Sequence, residues 1–187
     1  SVSDEEAQRN MALDIDQLDA IIDKFMDYAR PGEVRLVPVD LSGLVEREVA
    51  AFRDPTQIQI GSRVPSDTRV LADGIELGRV LQNLFENARR YGRSASTGIA
   101  RVLVSCARTG PWVILSVRDF GEGVDPAKLG QLATPFFRGD TARTAATGAG
   151  LGLAIVDKAI QRMGGTFELS NADDGGLLVV MRLKRAD

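Results

Sequence analysis

The sequence predicts an α/β two-layer sandwich, a mixed β-sheet with helices on one face, preceded by one long helix. Three observations lead to this prediction. Residues 4–29 carry apolar side chains at a heptad-like spacing, and the Pro-Gly pair at 31–32 then interrupts the helical pattern. From residue 34 onward, strand-like and helix-like segments alternate. We therefore expect two domains, residues 1–30 and residues 31–187.

The apolar seam of the first helix has the 4-3-4-3-4 spacing of helices that pack side by side. Its members are Met11, Ile15, Leu18, Ile22, Phe25 and Ala29. A helix that packs singly on its own domain usually shows a broader apolar stripe. The spacing therefore favours a helical bundle or a dimer seam, and packing on the chain's own domain is the alternative.

The second domain contains seven predicted strands and three predicted helices. The strands are residues 34–39, 57–60, 68–72, 99–108, 112–118, 166–170 and 177–183, and the helices are residues 41–52, 75–91 and 150–163. Asp40 or Ser42 is the expected cap of the helix at 41–52. Residues 120–149 have little periodicity and many Gly, Thr and Ala residues. A loop of that length in a compact domain is usually functional or disordered.

Composition excludes several classes of function. The formal net charge of the 187 residues is −3, which gives no indication of a nucleic-acid surface. The chain contains one cysteine, Cys106, and no histidine. Catalysis by a Ser-His-Asp or Cys-His arrangement is therefore excluded, and a structural zinc site is not expected.

Asn83 and Asn87 lie four residues apart on a predicted helix and so share one face. An amide oxygen suits a hard cation such as Mg²⁺, which keeps water ligands and uses phosphate oxygens. The alternative is that both amides form hydrogen bonds to neighbouring loops. Arg90 and Tyr91, one turn further on, are candidates for contact with phosphate and ribose, or are an ordinary surface arginine and a half-buried tyrosine.

Asp119 follows the apolar strand at 112–118. A carboxylate at a strand end can accept a hydrogen bond from an exocyclic amine such as that of adenine, and Gly121 and Gly123 would allow a flat base to approach the backbone. An ordinary Asp-x-Gly turn is the alternative.

A second glycine cluster, Gly148, Gly150 and Gly152, leads into a predicted helix, which is an arrangement that binds anions. It matches neither the Rossmann fingerprint nor the P-loop. Within the loop before it, Phe136 and Phe137 are either an anchor for loop closure or a local hydrophobic plug. Arg138 is either a ligand of a terminal phosphate or an ordinary surface residue.

These motifs, in this order, resemble the catalytic core of sensor histidine kinases, whose ATP-binding fold, the Bergerat type, is shared with gyrase B, Hsp90 and MutL. Residues 83–91 resemble the N box, residues 119–123 the G1 box, residues 136–137 the F box and residues 148–152 the G2 box. The run at 137–144 and the end of the first helix are similar to osmosensor kinases of the EnvZ type.

The resemblance implies an ATP site with Mg²⁺. In it, Asn87 would bind the metal, Asn83 would lie beside it at the phosphates, and Asp119 would recognise adenine. The implied catalytic residues are Asn83, Asn87, Arg90 and Arg138. The other implied cofactor contacts are Tyr91, Gly121, Gly123, Phe136, Phe137, Gly148, Gly150, Leu151 and Gly152.

The implied reaction transfers the γ-phosphoryl group of ATP to a histidine of a dimerisation hairpin and then to a response regulator, of the OmpR type. The resemblance also implies a homodimer formed through that hairpin and the cytoplasmic part of a bacterial inner-membrane protein, whose membrane contact lies in segments outside this sequence. The first helix would be the second helix of the hairpin. Because these residues include no histidine, we expect the polypeptide to load Mg-ATP without phosphorylating itself.

Two other functions stay open on the sequence. One is an ATPase clamp of the same superfamily, which would need a carboxylate base where Asn83 stands. Glu86 is the nearest candidate base, although its neighbours favour a helix-surface role. The other is a nucleotide-sensing module without catalysis.

Overall fold

The computed structural model describes residues 1–29, 32–52, 54–135 and 151–187. The helices are α1 (Val2–Ala29), α2 (Leu41–Ala51), α3 (Gly74–Tyr91) and α4 (Gly152–Arg162), and a short 3₁₀ helix spans Pro126–Gln131. The strands are β1 (Val37–Asp40), β2 (Ile58–Arg63), β3 (Arg69–Ala72), β4 (Ala100–Thr109), β5 (Trp112–Asp119), β6 (Thr166–Asn171) and β7 (Leu177–Lys184).

Five of the strands form a mixed sheet in the order β2-β4-β5-β7-β6. The pairing of β2 with β4 is parallel and the other three pairings are antiparallel. Because side chains alternate across a strand, only every second residue of β5 and β7 is buried under the helices. This arrangement confirms the predicted two-layer α/β sandwich.

The core lies between this sheet and the helices, and α3 is its central element. The buried face of α3 consists of Leu77, Val80, Leu81, Leu84, Phe85 and Ala88, which recur at helical spacing. Phe85 meets Phe52 edge to face, with ring centroids 5.5 Å apart. Packing of this stripe fixes the rotation of α3, and therefore fixes the direction in which its polar residues point.

Aspartates cap α2, where the sequence predicts a cap, and α3, where no cap was predicted. Asp40 accepts a hydrogen bond from the backbone N–H of Gly43 at 3.2 Å, so it is the cap of α2 and Ser42 is not. Asp73 accepts from the N–H groups of Ile75 and Glu76 and begins α3.

Some boundaries differ from the sequence prediction for reasons of strand pairing. The strand expected at 34–39 begins only at Val37, because its partner β3 is four residues long and pairing starts at Ala72. These two strands form a separate small sheet, which the sequence did not indicate. The strand expected at 57–60 continues to Arg63, because it pairs with β4 along its whole length.

Helix α1 presents two distinct faces. The seam residues Met11, Ile15, Leu18, Ile22 and Phe25 are between 45% and 64% exposed. A different stripe, which includes Ile21, Lys24 and Tyr28, is half-buried against the second domain. The two packing alternatives thus involve different faces of α1. The stripe with Ile21, Lys24 and Tyr28 packs on the rest of the chain, and the exposed seam remains a predicted dimer surface.

Candidate nucleotide-binding site

Asp119, the last residue of β5, is a buried carboxylate that is 8% exposed. Its Oδ1 atom accepts hydrogen bonds from the N–H of Gly121 at 3.0 Å and from the N–H of Leu177 at 3.1 Å. Burial raises the pKa of Asp119, against the opposing effects of these two N–H groups and of Arg118. The Asp-x-Gly turn considered from the sequence is therefore present, and it uses only one of the two carboxylate oxygens.

Three glycines allow the backbone to close tightly around Asp119. A Cβ atom at Gly92, the residue after α3, would lie 2.8 Å from both Cβ and Cγ of Asp119. A Cβ at Gly121 would lie 2.8 Å from the carbonyl carbon of Gly92, and one at Gly176, whose φ is +89°, would lie 2.0 Å from the carbonyl oxygen of Asp119. The carboxyl end of α3 and the end of β5 are thus in direct contact.

Glycine is required at position 123 by the backbone conformation and by a close contact with Asn171. Its φ of +78° is in the region that favours glycine, and a Cβ there would lie 2.7 Å from Oδ1 of Asn171. The side-chain amide of Asn171 accepts from the N–H of Val124 at 2.9 Å and donates to its carbonyl at 2.6 Å. Asn171 therefore holds the turn after Asp119 in place, and nothing in the sequence distinguished it.

Asn83 is buried on α3, 5% exposed, and its amide has a fixed orientation. Its Nδ2 group donates to the carbonyl of Arg79 at 2.8 Å, and its Oδ1 atom accepts from the ammonium group of Lys24 at 2.7 Å. A Cβ on Gly152, the first residue of α4, would lie 3.8 Å from the same oxygen. Asn87, one turn further along α3, is half-buried. The alternative that the amides of Asn83 and Asn87 bind neighbouring loops does not describe Asn83. Its amide binds α3 itself and α1.

Lys24 was not singled out by the sequence, because it is 59 residues from Asn83 and belongs to the other predicted domain. Burial lowers the pKa of Lys24, which Asp27 and Glu86 oppose and Arg90 reinforces. A desolvated ammonium group therefore lies directly against Asn83.

Glu86 is engaged by two arginines. It forms ion pairs with Arg89 and, at 2.8 Å, with the Nε group of Arg90. Hydrogen bonding from Arg89 is the largest effect, and the pKa of Glu86 falls to about 2. So weak a base supports the helix-surface role that the sequence favoured for Glu86. Tyr91, at the end of α3, is 37% exposed.

Helix α4 begins beside Asn83 without a side-chain cap. Leu151 is its N-cap residue and makes no side-chain capping hydrogen bond, and the first turn carries no acidic residue. The Leu151 side chain is 1% exposed and packs with Ile155, Ile21 and Tyr28. Any contact of Leu151 with a phosphate would therefore use its backbone N–H rather than its side chain.

The other predicted contacts, Phe136, Phe137, Arg138, Gly148 and Gly150, lie outside the described residues. Among the described residues, no group of three His, Cys, Asp or Glu side chains could hold a metal ion. No helix within that part of the chain is long and apolar enough to cross a membrane.

Taken together, α3 connects two clusters of predicted site residues. Asp119, Gly121 and Gly92 lie at its carboxyl end, and Asn83 and Gly152 lie about nine residues back, or about 14 Å along the helix axis. The structure thus brings Asn83, Asp119 and Gly152 to one helix, in an arrangement that suits an elongated ligand.

Known proteins share this chain's sequence and fold. The sensor histidine kinase ZraS of Escherichia coli K12 is 30% identical over 171 residues, which cover 89% of this chain and 35% of ZraS. The structure of full-length ShkA in complex with AMPPNP matches with a TM-score of 0.74 and 29% identity, over 91% of this chain and 37% of ShkA. The histidine kinase domain of the E. coli osmosensor EnvZ matches with a TM-score of 0.59 and 29% identity, over 83% and 92% of the two chains.

The chain spans only 35–37% of the length of the first curated relatives that it matches. Residues 72–187, which are more than half of the chain and include every described residue of the α3, β5 and α4 clusters, match one family model. The chain therefore belongs to the family of histidine kinase-, DNA gyrase B- and HSP90-like ATPases.

Proposed function

We propose that this chain is the ATP-binding catalytic part of a sensor histidine kinase. In this proposal, residues 31–187 are the catalytic domain and residues 1–30 belong to the dimerisation hairpin. The observation that carries the proposal is the position of Asp119, a buried carboxylate at a strand end against the same helix that presents Asn83 and Asn87.

Asp119 is suited to recognise adenine. Its two described hydrogen bonds both involve Oδ1, so Oδ2 has lone pairs for an exocyclic amine. The N–H groups of Gly121 and Leu177 fix Oδ1 and so fix the whole carboxylate. Oδ2 therefore has a defined position before any ligand binds. Gly121 and Gly123 serve the packing around this carboxylate, and Tyr91 lies at the neighbouring helix end, where it would contact the nucleotide.

The amides of α3 fit a magnesium ion that is bound with the phosphates. Oδ1 of Asn83 already faces a cation, the ammonium group of Lys24, so its lone pairs point outward from the helix. Amide oxygens are suitable ligands for Mg²⁺, which would take its remaining ligands from phosphate oxygens and water. We assign the metal to Asn87, with Asn83 beside it, and the bound ion would neutralise charge on the transferring phosphoryl group.

The phosphate end of the site lies between α3 and α4. Arg90 donates its Nε–H group to Glu86, and its guanidinium carries further N–H groups of the kind that bind phosphate. The uncapped first turn of α4, which starts at Gly152, offers backbone N–H groups and the positive end of the helix dipole. Catalysis at such a site consists mainly of positioning and charge neutralisation.

We propose transfer of the γ-phosphoryl group to a histidine of the hairpin, for relay to an aspartate of a response regulator of the OmpR type. The family resemblance, the relationship to ZraS and the AMPPNP complex of ShkA support this reaction. The same relationship supports a homodimer formed through the hairpin and a place in the cytoplasmic part of a bacterial inner-membrane protein.

The ATPase clamp is the less supported alternative. A clamp needs a carboxylate that activates water, and Asn83 stands where that base would be. Glu86, with its pKa of about 2 and its two arginine partners, is a poor substitute.

A trans-phosphorylation assay tests the proposal. The protein is mixed with Mg-[γ-labelled] ATP and a separately produced, histidine-bearing hairpin of a homologous sensor kinase, and acid-labile label on the hairpin is the expected result. Asn87→Ala should abolish this transfer and leave the fold intact by circular dichroism, while Asn10→Ala, on the exposed part of α1, should have no effect. Retained transfer by Asn87→Ala would reject Asn87 as the metal ligand.

A further inference from the structure

Helix α1 is docked on the amino-terminal half of α4. Ile21 and Tyr28 pack against Leu151 and Ile155, which are nearly fully buried. Lys158 of α4 donates a hydrogen bond to the carbonyl of Tyr28 and lies 4.6 Å from the centroid of its ring. Two apolar contacts and one charged contact therefore hold this face of α1 against the catalytic domain.

Docking brings the Lys24 ammonium group to Asn83. The 2.7 Å hydrogen bond from Lys24 ends on Oδ1 of Asn83. The Nδ2 group of Asn83 binds the Arg79 carbonyl of the same helix, and this contact turns Oδ1 away from α3. Gly152 lies close to the same oxygen, which would be 3.8 Å from a Cβ built on that glycine. The ammonium group therefore occupies the space between α1, α3 and the start of α4.

This position is next to the one proposed for the phosphate-bound cation, which we assign to Asn87. Asn83 and Asn87 share a face one turn apart, so a hydrated Mg²⁺ at Asn87 would lie beside Oδ1 of Asn83. A positive ammonium group at hydrogen-bond distance from that oxygen repels a divalent cation there. It also occupies one of the two lone pairs of that oxygen.

We propose that docked α1 and Mg-nucleotide compete for the Asn83 amide, with Lys24 as the competing cation. The docked helix is then an autoinhibitory contact that must move away when Mg-nucleotide loads, a conclusion that rests on the proposed function. A ligand that binds only the undocked state has its apparent affinity reduced by the fraction of molecules that are undocked. Removing the contact therefore increases the measured affinity.

Calorimetry with Mg-AMPPNP tests this competition in three variants. Lys24→Met keeps the aliphatic stem without the charge, and Ile21→Ala weakens docking without altering any charge. Both should bind roughly threefold to tenfold more tightly than the unmodified protein. Arg9→Met removes one positive charge from the exposed end of the same helix and should leave the affinity unchanged.

Amide hydrogen exchange supplies a readout that does not depend on affinity. Saturating Mg-AMPPNP should increase exchange in residues 20–28, because they lose their contact with α4. Equal affinities of all four proteins, or unchanged exchange in this segment at saturation, would overturn the competition. Weaker binding by Lys24→Met would instead make the lysine a ligand of the nucleotide. Absence of binding by every protein, including the unmodified one, would reject the proposed function itself.

Discussion

Gly92 should be intolerant of a single added methyl group, because its Cα hydrogen faces the carboxylate that we assign to adenine. In Gly92→Ala the new Cβ would lie 2.8 Å from Cβ and Cγ of Asp119 and 2.9 Å from the carbonyl oxygen of Ala88. Ordinary contacts of a Cβ begin at 3.4 Å, so the overlap with Asp119 is about 0.6 Å, the difference between 3.4 and 2.8.

Neither neighbour can move freely to relieve the overlap. Asp119 is fixed through Oδ1 to Gly121 and Leu177, and the Ala88 carbonyl accepts the last hydrogen bond of α3 from the N–H of Gly92. Overpacking of a well-filled site typically costs about 1–3 kcal/mol. A loss of about 2 kcal/mol lowers the melting temperature of a domain of this size by about 4–8 °C.

Gly74→Ala is the matched control at the opposite end of α3. No atom lies within 4 Å of a Cβ built there and its φ is not positive, so the substitution should stabilise the protein by about 0.4–1 kcal/mol. Urea unfolding at constant m-value measures both effects. Calorimetry should in addition show at least tenfold weaker binding of Mg-ATP by Gly92→Ala, since Asp119 is displaced. If Gly92→Ala is as stable as Gly74→Ala and binds Mg-ATP normally, this description of the packing around Asp119 is wrong.

Two further substitutions test the charges of the site. Asp119→Asn should weaken Mg-ATP binding at least tenfold, about the 1.4 kcal/mol of one good polar contact, and unchanged affinity by calorimetry would exclude the adenine role. Glu86→Gln should cost about 1 kcal/mol of unfolding free energy at pH 7. The full pKa shift corresponds to roughly 3 kcal/mol, and the ion pairs retain only part of it because solvent reaches these partly exposed side chains. Since the folded-state pKa of Glu86 is depressed, its contribution is complete above the unfolded-state pKa of about 4.3 and is lost as the pH falls towards 2. An unfolding free energy that differs equally from wild type at pH 7 and pH 3 would contradict that assignment.

Local periodicity was sufficient to predict most of the fold. The buried stripe of α3 runs from Leu77 to Ala88, about three turns, and the bounds of the helix are predicted to within one residue. The alternation in β5 and β7 shows which face of the sheet is buried. The 3₁₀ helix Pro126–Gln131 is too short for such a signal and depends on its Asp125 cap and on Pro126 in its first turn. The small sheet was missed because the pairing of β1 with β3 is a contact between distant residues.

In the candidate site, too, local features were predicted from the sequence and contacts between distant residues were not. The positions of Asp119 at a strand end and of Asn83 and Asn87 on one helix face follow from spacing alone, and both were predicted. Their surroundings were not, because Gly92 and Lys24 become neighbours of Asp119 and Asn83 only when separate elements pack. Gly121 was interpreted as space for a base, and the structure shows that the backbone of Gly92 occupies that side of it.

In the proposed dimer, the two faces of α1 would separate dimerisation from control of the site. At about 100° per residue, the docked stripe of Ile21, Lys24 and Tyr28 points roughly 100° away from the centre of the exposed seam at residues 11–25. A second helix that covers the seam therefore leaves Lys24 in contact with Asn83, and release of Lys24 leaves the seam covered.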